Sequence, residues 1–513
     1  MRRDAADFPV VLDRDGGASL PVQLAGAVRS AVAAGVLAPG TAVPSTRALA
    51  TRLGVSRGTV EAAYDQLAAE GYLVARPRAG TVIAPGVAAP QEGRPTPRRG
   101  PGGGPGRTAA TRGAVATRGP SATDGTSGTA TAGGPLRAVR PSASTTSAGA
   151  DSPTPGSGEL LDLVPGHEAT SPLGDAAWRS AWRRASSPTD RPGRPDPAGV
   201  AALRLAIAEH LRLMRGMAVS ADQVVVTAGA REGLGLLLAA LFPDPDRRTR
   251  VAVEDPGFPG LRRFLARQPV TTVPFAADRL PDDAAGCDLV IVTPNYQYPD
   301  GRSMDAAARG RVLSWALRTA TLILEDDYDS ESRYLGPPLP TLFGLGGETP
   351  VVQLGTFSSV LSHDIGTGYL LLPPDLVDPV VATRADLGSP VAAVTQRAVA
   401  AYLADGGLRR RIHRNRRRLT VTRDVVAAHL SGLPGAIDGG RLLVLPMAEP
   451  AATTVRDRCR ARGVRLGDLA QGWAGTAHRT GLIIDYGGVE AGDLDRALDL
   501  LVGLLGGPGG GLV

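Results

Sequence analysis

Residues 321–329 read TLILEDDYD, a short apolar run that ends abruptly in acidic side chains. An apolar run of this length, bounded by polar residues, is typical of a strand buried on both faces of a parallel sheet. The same form recurs in QVVVTAG (223–229), RVAVEDPG (250–257), LVIVTPN (289–295), PVVQLGTFSS (350–359) and GYLLLP (368–373). Helical stretches such as GLGLLLAALF (233–242) separate these runs. The alternation predicts an α/β fold with a mostly parallel, doubly wound sheet, whose ligands bind where strands end in loops.

The pattern changes after residue 390. The basic run RRRIHRNRRRL (409–419) lies in a predicted helix, and RLLVLP (441–446) and GLIIDYG (481–487) indicate further strands. We therefore expect a smaller α+β part in this later stretch of the sequence, within one C-terminal domain over 159–513.

The segment 87–158 differs from both flanks because it consists mainly of Pro, Gly, Ala, Ser and Thr, with almost no large apolar residue. Such a segment buries too little surface to offset the entropy lost on ordering, so we predict a flexible linker. Residues 87–157 hold eight arginines against Glu92, Asp124 and Asp151, an excess of five positive charges. This excess fits a part of the chain that faces nucleic acid, and it fits a solvated linker about equally well.

The composition excludes several kinds of chemistry. The chain of 513 residues has 56 cationic side chains, all of them arginine, and it contains no lysine. A lysine Schiff base, a P-loop lysine and a lysine general base are therefore excluded. Two distant cysteines, Cys287 and Cys459, support neither a disulfide framework nor a zinc cluster, so no metal site is expected. Acidic residues occur in the N-terminal stretch MRRDAADFPV before any apolar segment, so we expect no signal peptide. No run of 18 apolar residues occurs, so we expect a cytoplasmic protein without membrane segments.

The N-terminal domain, predicted over 10–86, contains three short helices. Residues 20–35 carry one apolar face, Ser45 caps a second helix that Gly54 ends, and Ser56 caps a third whose inward face is Val60, Tyr64 and Leu67. Residues 72–84, YLVARPRAGTVIA, alternate as a two-stranded ribbon with a basic tip. Together these elements predict a winged helix-turn-helix, which binds double-stranded DNA by placing the start of its last helix in the major groove.

That geometry selects candidate DNA contacts. Ser56, Arg57 and Thr59 open the recognition helix, and Arg78 lies at the tip of the wing, where it would approach the phosphate backbone. From spacing alone, Arg57 and Arg47 are equally well interpreted as solvated helix residues.

The amino-acid sequence of this module resembles the DNA-binding domain of GntR-type bacterial transcription regulators over about residues 20–84. The resemblance rests on Pro44-Ser45-Thr46-Arg47, on Leu53 to Val60 and on Glu70-Gly71-Tyr72. It implies that Arg47, Ser56, Arg57 and Thr59 contact the operator, and that the wing runs from Arg76 to Thr81. Gly58 stands where the family often has Asn, so one contact is missing.

The C-terminal domain resembles the fold-type-I aminotransferase domain of the MocR-type subfamily, a PLP-dependent transferase fold. The resemblance rests on QVVVTAGARE, VEDPGFPG, VTPNYQYPDG, LEDDYDSESRY and LGTFSSVLSHDIGTGYLLLPP. It implies that Gly229, Ala230 and Arg231 hold the phosphate of pyridoxal 5'-phosphate at the start of a helix. It also implies that Phe258 stacks on the pyridine ring, that Asp326 faces the ring nitrogen and that Tyr328 faces the ring oxygen. Without the resemblance, Asp326 and its acidic neighbours fit a solvated loop.

The chain departs from that family where the cofactor is attached. Ser359 occupies the position of the lysine that forms the Schiff base, and a serine hydroxyl cannot form an imine. Gly366 stands at the position of the family's phosphate-binding arginine, and His363 is a nearby polar residue that we expect to be neutral and hydrogen-bonded.

Three functions remain open at this point. In the first, a DNA-binding transcriptional regulator uses a degenerate aminotransferase-like domain, with no catalytic residue, for dimerisation and for sensing a small-molecule effector. In the second, a working aminotransferase carries an accessory DNA-binding head. In the third, the domain binds pyridoxal phosphate or a related ligand without a covalent bond. The resemblance implies a homodimer on an operator in the bacterial cytoplasm, associated with the nucleoid when bound to DNA.

Overall fold

The computed structural model describes residues 10, 12–14, 20–33, 36–69, 72–76, 80–84, 160–166, 173–187, 195–244, 246–276, 286–332, 339–347 and 349–506. The helices in these ranges are α1 (Leu20–Ala33), α2 (Thr46–Leu53), α3 (Arg57–Ala69), α4 (Ala176–Ser186), α5 (Ala201–Arg215), α6 (Ala230–Leu241), α7 (Pro259–Leu265), α8 (Ala306–Thr319), α9 (Leu342–Leu345), α10 (Pro374–Leu387), α11 (Ala393–Ala404), α12 (Gly407–His429), α13 (Glu449–Arg460) and α14 (Ala491–Gly506). The strands are β1 (Leu73–Arg76), β2 (Gly80–Ile83), β3 (Leu161–Leu163), β4 (Val224–Thr227), β5 (Thr249–Asp255), β6 (Val270–Ala276), β7 (Leu289–Val292), β8 (Leu322–Asp327), β9 (Val351–Thr356), β10 (Gly368–Leu371), β11 (Ile437–Asp438), β12 (Leu442–Pro446), β13 (Val464–Asp468) and β14 (Gly481–Asp485).

The N-terminal module is the predicted winged helix-turn-helix. Ser45 caps α2 by accepting a hydrogen bond from the amide of Ala48, and Gly54 ends α2 with φ of 61°, a left-handed conformation that favours glycine. The strands β1 and β2 pair antiparallel as the wing. The three helices share one apolar core, in which Leu24, Leu49 and Val60 are fully buried.

A seven-stranded sheet with the order β4-β10-β9-β8-β7-β5-β6 forms the centre of the C-terminal domain. Strands β5 to β9 pair in parallel, and β10 runs antiparallel to both of its neighbours. Along β4, Val224 and Val226 pack in a cluster with α5, whereas Val225 packs in a separate cluster with α6. Helices therefore cover both faces, which confirms the mostly parallel, doubly wound fold.

A second sheet has five strands in the order β11-β12-β14-β13-β3 and forms the smaller α+β part. The long helix α12 precedes β11 in the chain and carries the basic run of residues 409–419. Arg411 is buried, and it donates to the carbonyls of Val360 and Leu361 at 2.7 and 3.0 Å. Arg409 and Arg417 are exposed. The basic run thus divides between structural and solvent-facing arginines.

Two predictions lie outside the described residues. These are the linker, whose boundaries at 87 and 158 therefore stay predictions, and Arg78 at the tip of the wing. Among the described helices, none is both long and apolar enough to cross a membrane.

Candidate functional site

A cavity of about 300 Å³ opens where the strands of the seven-stranded sheet end. All six residues predicted to hold a cofactor line it, as do the two positions where the chain departs from the family. The lining residues that carry the argument are Gly229, Ala230, Arg231, Phe258, Tyr296, Asp326, Tyr328, Ser359, His363, Gly366, Arg441 and Asp485.

Asp326 is a buried carboxylate at the end of β8 that faces this cavity. Its Oδ1 atom has no hydrogen-bond partner among the described residues. Burial, together with the nearby charges of Asp327 and Glu254, raises the pKa of Asp326 to about 7. A buried polar atom without a partner is costly, so this oxygen is suited to a ligand that brings a hydrogen-bond donor.

The acidic neighbours of Asp326 are buried as well, so the interpretation of a solvated acidic loop is wrong. Asp327 lies on the opposite side of the strand and pairs with Arg215 at 2.5 Å. Asn295 and Gln353 donate to the same carboxylate at 2.7 and 3.2 Å. Both carboxylate oxygens of Asp327 therefore have partners in the core. Of the two residues, only Asp326 faces the cavity.

Tyr328 and Ser359 are joined at the cavity wall. The Ser359 hydroxyl donates to the backbone carbonyl of Tyr328 at 2.9 Å, and the Tyr328 phenol donates to the carbonyl of Tyr296 at 3.2 Å. Burial raises the pKa of the Tyr328 phenol well above its usual value. At neutral pH both hydroxyl groups are thus neutral donors bonded to the backbone.

Phe258 supplies an aromatic face next to Tyr328. The two rings lie 6.4 Å apart between centroids with an interplanar angle of 21°. Gly166 lies against the Phe258 ring, since a Cβ atom at Gly166 would come within 3.1 Å of Cζ. This part of the cavity is suited to a flat aromatic ligand.

The start of α6 forms the part of the cavity suited to an anion. Gly229 has φ of 85°, and a Cβ atom there would meet nothing within 4 Å, so the approach to the first amides of α6 is open. These amides lack helical partners and carry the positive end of the helix dipole. Arg231 is exposed beside them and forms no hydrogen bond or ion pair with a described residue. The first-turn acid Glu232 pairs with Arg384 at 2.6 Å, which offsets its negative charge.

His363 and Gly366 lie on the loop between β9 and β10 and line the same cavity. His363 is exposed, and its imidazole makes no hydrogen bond within the described part of the chain, contrary to the expectation of a hydrogen-bonded histidine. Gly366 has φ of 49° and open space around its Cβ position. An arginine would fit there sterically, at the cost of a strained backbone conformation.

The sequence analysis missed several polar residues of the cavity, among them Arg441, Asp485 and Tyr296. Arg441 and Asp485 come from the five-stranded sheet and are buried, and Tyr296 follows β7. The Tyr296 hydroxyl accepts hydrogen bonds from the amides of Arg441 and Leu442 at 3.3 and 3.2 Å. The available signal was one charged residue at one end of each of two apolar strands, Arg441 in RLLVLP and Asp485 in GLIIDYG.

The predicted DNA-contacting residues lie at the start of α3 and on α2. Ser56 caps α3, accepting from the amide of Thr59 at 3.1 Å, and the two side-chain hydroxyls are 2.8 Å apart. Arg57 is exposed and pairs with Glu61 at 2.7 Å, and Arg47 is exposed on α2. The structure thus brings Ser56, Arg57 and Thr59 together on one exposed helix start.

Two family models match the chain. Residues 20–83 match the bacterial regulatory proteins of the gntR family, and residues 168–455 match aminotransferase class I and II.

Curated relatives match over almost the whole length. The HTH-type pyridoxine biosynthesis transcriptional regulator PdxR of Corynebacterium glutamicum is 37% identical, with 94% of this chain and 95% of the relative covered. The probable rhizopine catabolism regulatory protein MocR of Rhizobium meliloti is 28% identical, with 96% of this chain and 95% of the relative covered.

The solved structures that match this fold include aminotransferases. An archaeal alanine:glyoxylate aminotransferase has a TM-score of 0.60 at 20% identity, covering 67% of this chain and 90% of its own. A mutant of Thermus thermophilus aspartate aminotransferase has a TM-score of 0.58 at 17% identity, covering 68% and 92%. At these identities the likeness concerns the fold alone. The chain belongs to the GntR family of bacterial transcriptional regulators, in the MocR-type group that joins a winged helix-turn-helix to an aminotransferase-like domain.

Proposed function

We propose that this regulator binds operator DNA through α3 and senses a small-molecule effector in the cavity of its aminotransferase-like domain, without catalysing transamination. The observation that carries the proposal is the pairing of an open cavity with a serine, already hydrogen-bonded to the backbone, in place of a reactive lysine.

The DNA-binding part is supported by the exposed start of α3. Ser56 and Thr59 present hydroxyl groups, and Arg57 presents a guanidinium that suits phosphate oxygens or the edge of guanine. Arg47 on α2 adds a second cation. We assign operator contact to these four residues and, from its sequence position at the wing, to Arg78.

Absence of transaminase chemistry is supported by the side chains available. The reaction needs an amine that both holds the cofactor and moves a proton between carbon atoms. The chain has no lysine, and the Ser359 hydroxyl already donates to the Tyr328 carbonyl. A working aminotransferase with a DNA-binding head, the competing function, would need an amine from outside the chain's side chains.

The residues of the cavity fit pyridoxal 5'-phosphate as a noncovalent ligand. The first amides of α6 and Arg231 suit its phosphate, Phe258 suits its ring, and the unpartnered oxygen of Asp326 suits a protonated ring nitrogen. In an enzyme this cofactor supplies an electron sink, and here Gly229 to Arg231, Phe258, Asp326 and Tyr328 would serve only to bind and orient it. The Corynebacterium relative is a transcriptional regulator of pyridoxine biosynthesis, which adds support.

We further propose that the protein acts in the bacterial cytoplasm as a homodimer with paired half-sites on DNA, with residues 87–158 as the flexible connection between domains 10–86 and 159–513. Two-fold operators commonly mirror the symmetry of dimeric helix-turn-helix proteins.

A genome-wide binding profile of the native protein tests the regulatory function, followed by footprints of the bound promoters with and without pyridoxal phosphate. We expect promoter-specific footprints that the ligand changes. Absence of any specific site would contradict the DNA-binding proposal, and footprints that are insensitive to the ligand would contradict its role as effector.

Borohydride reduction and intact-mass measurement test the absence of covalent attachment. After incubation with pyridoxal phosphate, we expect a perturbed absorbance spectrum that disappears on washing, and no added mass on any side chain. A reduced adduct on a side chain would contradict the proposal.

A further inference from the structure

The loop between β9 and β10 carries His363 and ends beside the start of α6. Gly368, the first residue of β10, lies opposite Thr227 on β4 and opposite Thr356 on β9. Thr227 ends β4 two residues before Gly229. A Cβ atom on Gly368 would lie 3.0 Å from the Cα atom of Gly229, so the end of the loop lies directly against the residue that precedes α6.

His363 lines the cavity with a side chain that the described part of the protein leaves unused. Its imidazole is exposed and forms no hydrogen bond or ion pair with a described residue. The turn that holds it is fixed by its neighbours, because the Ser362 hydroxyl accepts from the Asp364 amide at 3.1 Å. The Asp364 carboxylate in turn accepts from the Ser362 hydroxyl at 3.3 Å, and this acid is not a lining residue of the cavity. The imidazole is therefore available to a ligand, with one N–H donor when neutral and two donors and a positive charge when protonated.

The loop lies between the two parts of the cavity that suit opposite ends of the proposed ligand. In the order β4-β10-β9-β8, it joins the two strands that separate β8, which carries Asp326, from β4, which leads into α6. Asp326 is 9% exposed and its Oδ1 atom has no partner among the described residues, which indicates, independently of the helix, that a ligand with a donor binds here. A pyridine ring whose nitrogen meets Asp326 and whose phosphate meets α6 therefore passes this loop.

The loop lacks a cation on the phosphate side of the cavity. Gly366 stands where the resemblance implies a phosphate-binding arginine, and it lines the cavity without a side chain. Arg231 lies at the start of α6. A phosphate ester carries about 1.5 to 2 negative charges at neutral pH, so one guanidinium and the helix amides leave room for a further cationic donor. His363 lies on the same turn as Gly366, whose amide donates to the His363 carbonyl at 3.1 Å.

We propose that His363 takes over the phosphate contact that an arginine would make in place of Gly366: its imidazole donates to a phosphate oxygen of the ligand, which Arg231 and the amides of α6 also contact. The inference rests on the pyridoxal-phosphate-type ligand proposed above. It makes the cavity selective for the phosphorylated vitamin over the free vitamin, and it assigns part of that selectivity to the loop between β9 and β10.

Pyridoxine 5'-phosphate and pyridoxine test this contact on the full-length protein, because they differ only in the phosphate. Neither has an aldehyde, so neither forms an imine with the N-terminal amine. Calorimetric titration with the phosphate ester is expected to give about tenfold weaker binding for His363→Gln than for the native protein, which corresponds to about 1.4 kcal/mol. Pyridoxine, measured by its displacement of the phosphate ester, should bind the two proteins equally within about twofold. Pyridoxal phosphate is titrated in parallel as the reference ligand.

Two further variants separate the cation from other effects of the substitution. His363→Arg keeps a cationic N–H donor on the loop and is expected to bind the phosphate ester within about threefold of the native affinity. His413→Gln removes an exposed imidazole from α12 that does not line the cavity, and this matched control is expected to keep the native affinity. Melting curves without ligand check that each variant folds, and His363→Gln should melt as the native protein does because the side chain is exposed.

The outcomes separate this inference from the proposed ligand. Equal binding of the phosphate ester to His363→Gln and to the native protein overturns the role of His363 and leaves the proposed ligand standing. An equal loss for the ester and for pyridoxine overturns the contact with the phosphate, and so does a His363→Arg variant that binds the ester as weakly as His363→Gln. If neither pyridoxine phosphate nor pyridoxal phosphate binds the native protein, both the proposed ligand and this inference are overturned.

Discussion

Arg57 and Glu61 provide a test of the DNA interface in which two substitutions have opposite effects. Arg57 opens α3, and its guanidinium pairs with Glu61 one turn later at 2.7 Å. The side chains are 67% and 43% exposed. When Arg57 contacts DNA it must leave or share this carboxylate. We therefore expect Arg57→Ala to weaken operator binding and Glu61→Gln to strengthen it.

The magnitudes follow from the exposure of the pair. An exposed pair four residues apart on a helix contributes about 0.3–0.5 kcal/mol, so releasing Arg57 should strengthen binding by about twofold per recognition helix. Loss of the Arg57 contact should cost about 1–3 kcal/mol per helix, and for a phosphate contact the salt slope should fall by about 1. The free energy of unfolding should change by no more than about 0.5 kcal/mol, because the side chain is exposed.

Fluorescence anisotropy with the native promoter fragment at several salt concentrations measures both effects. Arg311→Ala, which removes an exposed arginine from α8, controls for the change in net charge. The interpretation fails if Arg57→Ala binds as tightly as the native protein with the same salt slope. It also fails if Glu61→Gln and Arg57→Ala change affinity in the same direction.

Three further predictions concern the cavity and the linker. Burial raises the pKa of Asp326 to about 7, so the native state holds an extra proton between about pH 4 and 7 and loses stability as the pH rises through that range. Asp326→Asn should therefore stabilise the protein at pH 8, by at most about 4 kcal/mol, and much less at pH 4; equal shifts in melting temperature at both pH values would contradict this. Ser359→Lys alone should give weak imine absorbance with pyridoxal phosphate, and Ser359→Lys with Gly366→Arg should give more; no gain from the second change would argue against a phosphate site at Gly366. Limited proteolysis with an enzyme that cuts after arginine should first cleave within residues 87–158 and leave two resistant fragments, whereas early cuts within 20–84 or 200–370 would contradict the domain boundaries.

Local signals predicted the elements and the edge of the sheet where the cavity lies. Ser45 and Gly54 fix the ends of α2 through contacts within a few residues, so the helix could be predicted from its caps. The apolar runs that end in TAG, EDD and GTF could also be assigned from a local signal, because short apolar runs of this kind are typical of buried strands. The carboxyl ends of parallel strands meet at one edge, which is why Gly229 and Asp326 could be expected near each other.

The ion pairs of Arg441 with Asp329 and Asp485 could not be predicted, because the partners are distant in sequence. Asp329 lies 112 residues from Arg441, and Asp485 lies 44 residues beyond it, on a neighbouring strand. No local pattern specifies such pairs. The edge strand β6 was missed for another reason: VTTVPFA mixes exposed Thr residues with a proline, so it lacks the continuous apolar run that marks buried strands.

The loop between β9 and β10 bears on which side of the cavity responds to a ligand. The loop carries Ser359 and Gly366, and its own Phe357, Val360 and Leu361 are at most 1% exposed. Moving even two of these side chains into water would cost about 3–6 kcal/mol, so the loop should behave as a fixed floor. The opposite wall belongs to a different sheet, whose Leu442 and Ile483 pack with Tyr298 in a buried apolar cluster. We therefore expect a bound effector to leave the loop in place, so that the side of the cavity that carries Ser359 and Gly366 does not respond.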